Sequence, residues 1–175
     1  MTESTLGYSD TPFLPQSPYH VHDGGRPQPR IVHPGDGTAA IFRDESRVTT
    51  LSVHCRTNFP ARKQQSTLDV ALDPDLGDRD YLAIVRPLVE GALDRTSPNL
   101  VFFNAGVDPH KDDRLGRLAL SDQGIAEREA LVLEACRRRG VPLAVVVGGG
   151  YAADVEIVAA RHALLHEVAA DLPPW

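Results

Sequence analysis

From about residue 31 onward, short apolar runs alternate with segments of helical period. Residues 47–54 (RVTTLSVH) are rich in β-branched side chains, and residues 99–103 (NLVFF) and 142–147 (PLAVVV) are continuous apolar runs. Such runs predict strands, and a continuous apolar run is typical of a strand that is buried on both faces of a sheet.

Three further segments predict helices. In residues 78–95 apolar side chains recur at helical spacing, although Pro87 predicts a kink. Residues 121–139 begin with side chains that cap helices and end with arginines just before Gly140. The last helix is predicted to begin near Tyr151 and to run to about residue 170.

Strands that alternate with helices through short links predict a parallel sheet covered on both faces, which is the α/β class. Residues 1–30 contain prolines and glycines without an apolar period, so we expect an irregular arm there. The sequence therefore predicts an arm over residues 1–30 and one domain over residues 31–172.

Composition narrows the function further. The chain has 175 residues, a net charge of −6 and two cysteines, and its longest apolar runs are far below the roughly 20 residues of a membrane-spanning helix. The charge disfavours direct binding of nucleic acid, and two cysteines are too few for a disulfide framework. We expect no membrane span and a cytoplasmic location.

Ligands of parallel sheets bind beyond the carboxyl ends of the strands, and the loop after residues 99–103 is rich in ionisable groups there. Its acids and imidazole are Asp108, His110, Asp112 and Asp113. Carboxylates and imidazole suit zinc or a similar cation. The alternative is a solvated loop in which Arg114 and Arg117 neutralise the acids.

The next strand ends in three glycines, Gly148, Gly149 and Gly150, followed by Tyr151. Consecutive glycines allow positive φ and a close backbone approach, and they place the following side chain at the mouth of a pocket. Through Ala153 the segment also satisfies a G-x-G-x-x-A dinucleotide fingerprint. No later strand supplies the acid that binds ribose, which weakens that alternative.

Taken together, the motifs resemble the histone deacetylases, in particular the class IV-like and bacterial branch. The resemblance covers about residues 35–170, through GDGTAAIF, LSVH, NFP, FFNAGVDPHKDDRLGRLALS and VVVGGGY. It implies an arginase-like three-layer α/β fold that is incomplete at its amino-terminal side. It also implies a zinc-dependent amide hydrolase whose substrate is an acetylated protein or a small acetylated amine.

The resemblance also implies roles for single residues. His33 and Asp113 match zinc ligands, Tyr151 matches the donor to the developing oxyanion, and Asp36 matches a carboxylate that orients a histidine. Without the resemblance, His33 is an ordinary hydrogen-bonded loop histidine and Tyr151 an amphipathic residue at a helix start.

Two further matches concern the first strand and the loop that follows it. Phe59 matches a residue that lines an acyl-lysine channel, with a place in the core as the alternative. Ser52 and Val53 match positions that bind a structural potassium ion, whereas a serine in a strand is otherwise unremarkable.

The chain departs from the family pattern upstream of His33. Ile31 stands where the first zinc aspartate is expected, Pro29 stands where a second orienting aspartate is expected, and the two acid–base histidines lie in a segment that has no counterpart here. We therefore expect a truncated domain with reduced or no activity. The alternative is a non-catalytic remnant that associates with another chain, including a second copy of itself.

Overall fold

The computed structural model describes residues 37–60 and 62–173. The elements, in chain order, are α1 (Gly37–Ile41), β1 (Leu51–Cys55), β2 (Leu68–Leu72), α2 (Asp78–Thr96), β3 (Val101–Gly106), α3 (Asp122–Arg138), β4 (Leu143–Gly148) and α4 (Val155–Asp171). The predicted arm over residues 1–30, His33 and Asp36 lie outside the described residues. None of the described helices is long and apolar enough to span a membrane.

Two of the predicted helices are confirmed almost to the residue. The helix α2 contains Pro87 and stops at Ser97, which takes a left-handed φ of 43°. The helix α3 begins after Ser121, whose side chain accepts a hydrogen bond from the backbone N–H of Gly124, as expected for an N-cap. It ends before Gly140, where φ is 63° and glycine is favoured.

The third helix starts later than predicted. Gly149 and Gly150 take φ values of 65° and 94°, so the backbone after β4 turns instead of continuing into a helix. Asp154 then caps α4, because its Oδ1 accepts a hydrogen bond from Glu156 N at 2.9 Å. Tyr151 consequently lies in the turn, four residues before Val155.

The first strand is shorter than predicted, and one strand was not predicted. β1 begins at Leu51 rather than residue 47, and β2 pairs with it in parallel, with Val53 opposite Val70. The sequence of β2, LDVAL, alternates only over five residues, which is too short for a clear strand signal.

The parallel arrangement of β3, α3 and β4 is confirmed, with Phe103 opposite Val145 and Gly106 opposite Gly148. Within the described ranges the four strands form two separate parallel pairs, β1 with β2 and β3 with β4. The class is α/β, as predicted.

One face of the β3–β4 pair is buried against helices and the other is open. Ala105 packs with Leu133 of α3 and Leu165 of α4. On the opposite face Phe102 is 73% exposed and Val146 is 51% exposed. The prediction that these strands are buried on both faces is therefore wrong for the part of the chain that the structure describes, because nothing in that part covers this apolar face.

Candidate functional site

The loops after β3 and β4 leave the same edge of the sheet, because Gly106 and Gly148 end neighbouring parallel strands. Val107 N donates a hydrogen bond to Gly148 O at 3.1 Å, which joins the two loops at their base. Further out, Tyr151 N donates to Asp113 Oδ2 at 2.6 Å. The structure therefore brings the predicted acidic loop and the predicted glycine turn together.

The glycine turn is packed too closely for any larger residue. A Cβ at Gly149 would lie 2.1 Å from Asp108 Oδ1, and a Cβ at Gly150 would lie 2.7 Å from a methyl group of Val107. At Gly148 the nearest atom, Asn104 Oδ1, would be 2.8 Å away. The run of glycines thus allows the backbone of the turn to rest directly on the residues that end β3.

This packing weakens the dinucleotide alternative. The phosphates of such a ligand approach a glycine turn through free backbone N–H groups at the start of a helix. Here the carboxylate of Asp108 already occupies the space beside Gly149, and it would repel a phosphate. The helix α4 also begins only at Val155, beyond the end of the fingerprint.

Asp108 is the acid of this loop that remains available for chemistry. It is partly buried, and no other described residue donates a hydrogen bond to its carboxylate. Burial raises the pKa of Asp108, and the negative charge of Asp113 raises it further. A partly buried carboxylate without a donor from a neighbour suits a cation or a proton that arrives with a ligand.

Asp113 is engaged in a different way. Its Oδ1 accepts hydrogen bonds from the backbone N–H groups of Leu115 and Gly116, both at 2.8 Å, while its Oδ2 accepts from Tyr151. These three bonds close the acidic loop and attach it to the glycine turn. As a metal ligand Asp113 stays a prediction, and its geometry favours a structural role. The resemblance assigned the zinc ligand to Asp113 and gave no role to Asp108.

Tyr151 is held through its backbone while its side chain is left free. Arg114 Nε donates to Tyr151 O at 2.7 Å, and Asp113 accepts from its N–H, so both backbone polar groups are bound. The side chain is 48% exposed, and its phenol has no hydrogen-bond partner within the described ranges. The arrangement presents a free phenol on a fixed backbone.

The other candidate residues lie at β1 and the loop that follows it. Phe59 is 64% exposed, so the alternative that it is a core residue is wrong. The Ser52 hydroxyl lies 3.2 Å from His54 Nδ1, and Val53 packs against the main hydrophobic core. A potassium site at Ser52 and Val53 therefore remains a prediction.

One acid of the loop, Asp112, is paired with an arginine that the sequence analysis did not single out. Arg161 of α4 is buried, and its guanidinium contacts Asp112 at 2.8 Å and Asp122 at 3.0 Å. Neither Arg114 nor Arg117 forms an ion pair in the described part of the chain, so the expectation that they neutralise the acids is wrong. Arg161 lies 49 residues after Asp112, and no local pattern in the sequence connects them.

His110 supports the same loop from inside. It is 1% exposed, and its Nδ1 accepts a hydrogen bond from Asp112 N at 3.0 Å. Its Nε2 lies 3.2 Å from Asp122 Oδ1, without the alignment of a hydrogen bond. Burial lowers the pKa of His110, and the charge of Arg161 lowers it further, so the neutral imidazole is the favoured form.

A buried ion pair lies behind the strand end. Arg128 and Glu129 of α3 contact each other, and Arg128 Nη1 donates to Gly106 O at 2.7 Å. The guanidinium also lies over the ring of Phe103, 5.7 Å from its centroid. Sequence reasoning missed this pair, although two adjacent charges in the middle of an otherwise well-packed helix are a signal that could have indicated it.

Comparison with known proteins agrees with this architecture. The family model of the histone deacetylase domain matches residues 32–166, and the chain belongs to that family. An uncharacterised protein of Picosynechococcus sp. is 49% identical over 141 residues, which are 81% of this chain and 47% of that protein. A probable deacetylase of Archaeoglobus fulgidus is 29% identical over 130 residues, or 67% of this chain and 36% of that protein.

Solved structures show the same fold. The histone deacetylase Clr3 superposes with a TM-score of 0.63 at 20% identity, over 83% of this chain and 26% of that chain. The deacetylase-like fold predicted from the motifs is confirmed, and so is the family. The chain spans about half the length of the Picosynechococcus relative and about a third of the Archaeoglobus relative.

Proposed function

We propose that this chain is part of a zinc-dependent deacetylase that hydrolyses acetyl-lysine or a related acetylated amine, with low or no activity unless further residues complete its site. Membership of the histone deacetylase family supports the reaction class. The observation that carries the proposal is the pair of hydrogen bonds that hold the Tyr151 backbone while its phenol stays free.

The proposed role of Tyr151 follows from its geometry. When water attacks an amide carbonyl, negative charge develops on the carbonyl oxygen, and a donor fixed in advance stabilises that charge. Because the phenol has no hydrogen-bond partner among the described residues, it can donate to the oxyanion without first breaking a hydrogen bond to one of them. The anchored backbone limits the conformational freedom that the side chain loses when it does so.

Zinc is the metal that the resemblance implies, and the donor set tests whether it fits. Within residues 37–60 and 62–173, no three His, Cys, Asp or Glu side chains are grouped closely enough to hold a metal ion. Asp108 is the carboxylate that we propose as a ligand, with His33 as the predicted imidazole outside the described residues. The described residues do not form a complete zinc site by themselves, so none of the steps proposed here passes through the metal.

The acid–base step is the second reason to expect low activity. Groups that transfer protons in the transition state typically contribute about 10² to 10⁴ in rate. The resemblance assigns this step to two histidines upstream of His33, and the described His110 is buried and bound within its own loop. We propose that residues from another segment or another chain supply this step.

An acetate-release assay on an acetyl-lysine peptide, with added zinc, tests the proposal. We expect the Tyr151→Phe variant to lose about tenfold or more of any measured rate, because the phenol hydroxyl is the proposed donor. Leu115→Ala, which changes an exposed neighbouring side chain, serves as the matched control and should retain the rate. Equal rates for wild type and Tyr151→Phe would contradict the assignment.

The bare sheet face favours a second candidate function, that of a non-catalytic deacetylase-like chain that associates with another polypeptide. Phe102 and Val146 expose apolar surface on a strand pair whose other side packs against α3 and α4, and within residues 37–60 and 62–173 nothing covers the exposed side. Sedimentation velocity over a range of concentrations tests this alternative. Three results together would support the non-catalytic chain over the deacetylase. The wild-type chain associates, the Phe102→Lys variant stays monomeric, and the wild type is inactive when loaded with zinc.

A further inference from the structure

The acidic and the basic side chains of the acidic loop differ in what they bind. Its three acids, Asp108, Asp112 and Asp113, are balanced in number by three cations, Lys111, Arg114 and Arg117. Asp112 is bound by the buried Arg161, and Asp113 is bound by backbone N–H groups. Asp108 lies partly buried against the glycine turn. Two of the three acids are therefore bound by donors of the protein itself, although the Asp112 side chain is still 59% exposed.

The cations of the same loop face outward. Lys111, Arg114 and Arg117 are all exposed, and none forms an ion pair with a carboxylate in the described part of the chain. Arg114 Nε donates to the backbone carbonyl oxygen of Tyr151, the residue whose side chain is the proposed oxyanion donor. The exposed cations of the loop thus lack carboxylate partners, whereas its exposed acid, Asp112, is paired with Arg161.

Two of these cations also line a cleft. The cleft has a volume of about 520 Å³ and is bordered by Thr57 from the loop after β1 and by Lys111, Asp113 and Arg117 from the acidic loop. Asp75, which is exposed, lies on the same cleft. Asp113 borders the cleft and also accepts a hydrogen bond from Tyr151 N, so the cleft and the glycine turn meet at Asp113.

The rim of the cleft is formed by Lys111 and Arg117 of the acidic loop. Their backbone groups are held by hydrogen bonds, while their side chains form no ion pair in the described part of the chain. Arg117 O accepts a hydrogen bond from Asp75 N at 2.9 Å, and Lys111 N donates to Leu120 O at 2.8 Å. A fixed backbone with unpaired cationic side chains is suited to binding an anion, because no internal ion pair must be broken first.

We infer that the site takes acetylated amines that are carried on an acidic segment, such as an acetyl-lysine flanked by Glu or Asp, in preference to a basic tail or a polyamine. This inference rests on the proposed deacetylase function and names its substrate class. A long polyanion such as nucleic acid is disfavoured, because the chain as a whole carries a net charge of −6. A short acidic peptide meets only the local field of the rim.

Three labelled peptides of equal length test the inference by fluorescence anisotropy with the full chain. The first has an acetyl-lysine among glutamates, the second has an acetyl-lysine among arginines, and the third is the first without its acetyl group. We expect the first peptide to bind about tenfold more tightly than the second at low ionic strength. A tenfold difference in Kd corresponds to about 1.4 kcal/mol, and each exposed ion pair contributes up to about 1 kcal/mol. The preference should shrink as salt is added.

Charge reversal separates the rim from the overall charge of the protein. The Lys111→Glu/Arg117→Glu variant should lose the preference for the acidic peptide. The control Arg86→Glu/Arg95→Glu changes two exposed arginines of α2 by the same total charge and should retain it within about twofold. Equal loss in both variants, an equal or higher affinity for the basic peptide, or no binding of the acidic peptide would overturn the inference.

The third peptide separates this inference from the proposed function. If the acidic peptide binds equally with and without its acetyl group, the rim binds anions as inferred while the acetyl-lysine function fails. If binding requires the acetyl group but ignores the flanking charges, the proposed function stands and the inference about substrate class fails.

Discussion

The contact between the glycine turn and Asp108 can be measured with a matched pair of variants. Gly149 and Gly140 have nearly the same positive φ, at 65° and 63°. A Cβ at Gly149 would lie 2.1 Å from Asp108 Oδ1, whereas a Cβ at Gly140 would meet nothing within 4 Å. Both alanine variants therefore place a non-glycine residue at a positive φ, and they differ in the contact that the added Cβ makes.

The expected magnitudes follow from these two terms. A left-handed backbone costs a non-glycine residue about 1 to 2 kcal/mol, so Gly140→Ala should lower the free energy of unfolding by about that amount. Gly149→Ala adds the displacement of a partly buried carboxylate, and overpacking of this kind typically costs about 1 to 3 kcal/mol. We expect a total loss of about 2 to 5 kcal/mol at Gly149.

Urea unfolding monitored by far-UV circular dichroism gives both values, provided that the slope of free energy against urea is unchanged. Adding Asp108→Ala to Gly149→Ala should recover most of the difference between the two glycine sites, because the clashing oxygen is removed. Equal losses in Gly140→Ala and Gly149→Ala would refute the placement of Asp108 against the turn.

Three other predictions use the same measurement. Asp113→Asn should lower the free energy of unfolding by about 1.5 to 3 kcal/mol. An amide has only one oxygen, so its NH2 group would face one of the backbone N–H groups that Asp113 now binds. An unchanged stability in the presence of a chelator would contradict the structural role. Ser121→Ala should cost about 1 kcal/mol through the lost N-cap. It should cost somewhat more because Asp78 Oδ2 loses the hydroxyl donor at 2.6 Å, although Asp78 Oδ1 keeps the backbone N–H of residue 121. A change below the error of the measurement would argue against the cap. The lowered pKa of His110 favours the neutral imidazole in the folded state. The contribution of His110 to the free energy of unfolding is therefore fully present above the unfolded pKa of about 6.5, and it is lost as pH falls toward the folded pKa. If a His110→Gln variant shows the same dependence of stability on pH between 7.5 and 5, this contribution is absent.

The elements that the sequence predicted well are those whose signals are local. The helix α3 is defined by a capping Ser121 at one end and by Gly140 at the other, and both act within a few residues of the helix. The pairing of β3 with β4 follows from two apolar runs joined by a helix of suitable length. The strand β2 was missed because five residues of weak alternation do not rise above a loop.

The candidate site was predicted in part. The motifs placed the acidic loop and the glycine turn at neighbouring strand ends, and the structure brings them together there. The sequence analysis assigned the metal ligand to Asp113, and that assignment stays a prediction. It could not indicate that Asp113 and Asp108 differ in their hydrogen-bond donors, because donors such as Tyr151 N lie 38 residues from Asp113 along the chain.

By itself, the sequence determined the α/β class, the family, the order of most elements and the segments in which the chemistry would lie, because periodicity, caps and motifs act over short distances along the chain. The tertiary structure alone decided which charges are neutralised. Arg161 reaches Asp112 from a helix 49 residues away, and that pairing leaves the cations of the acidic loop exposed. It also decided that Phe102 is exposed, on a sheet face that no element of the described part of the chain covers, since the burial of a strand depends on what packs against it and not on its own composition.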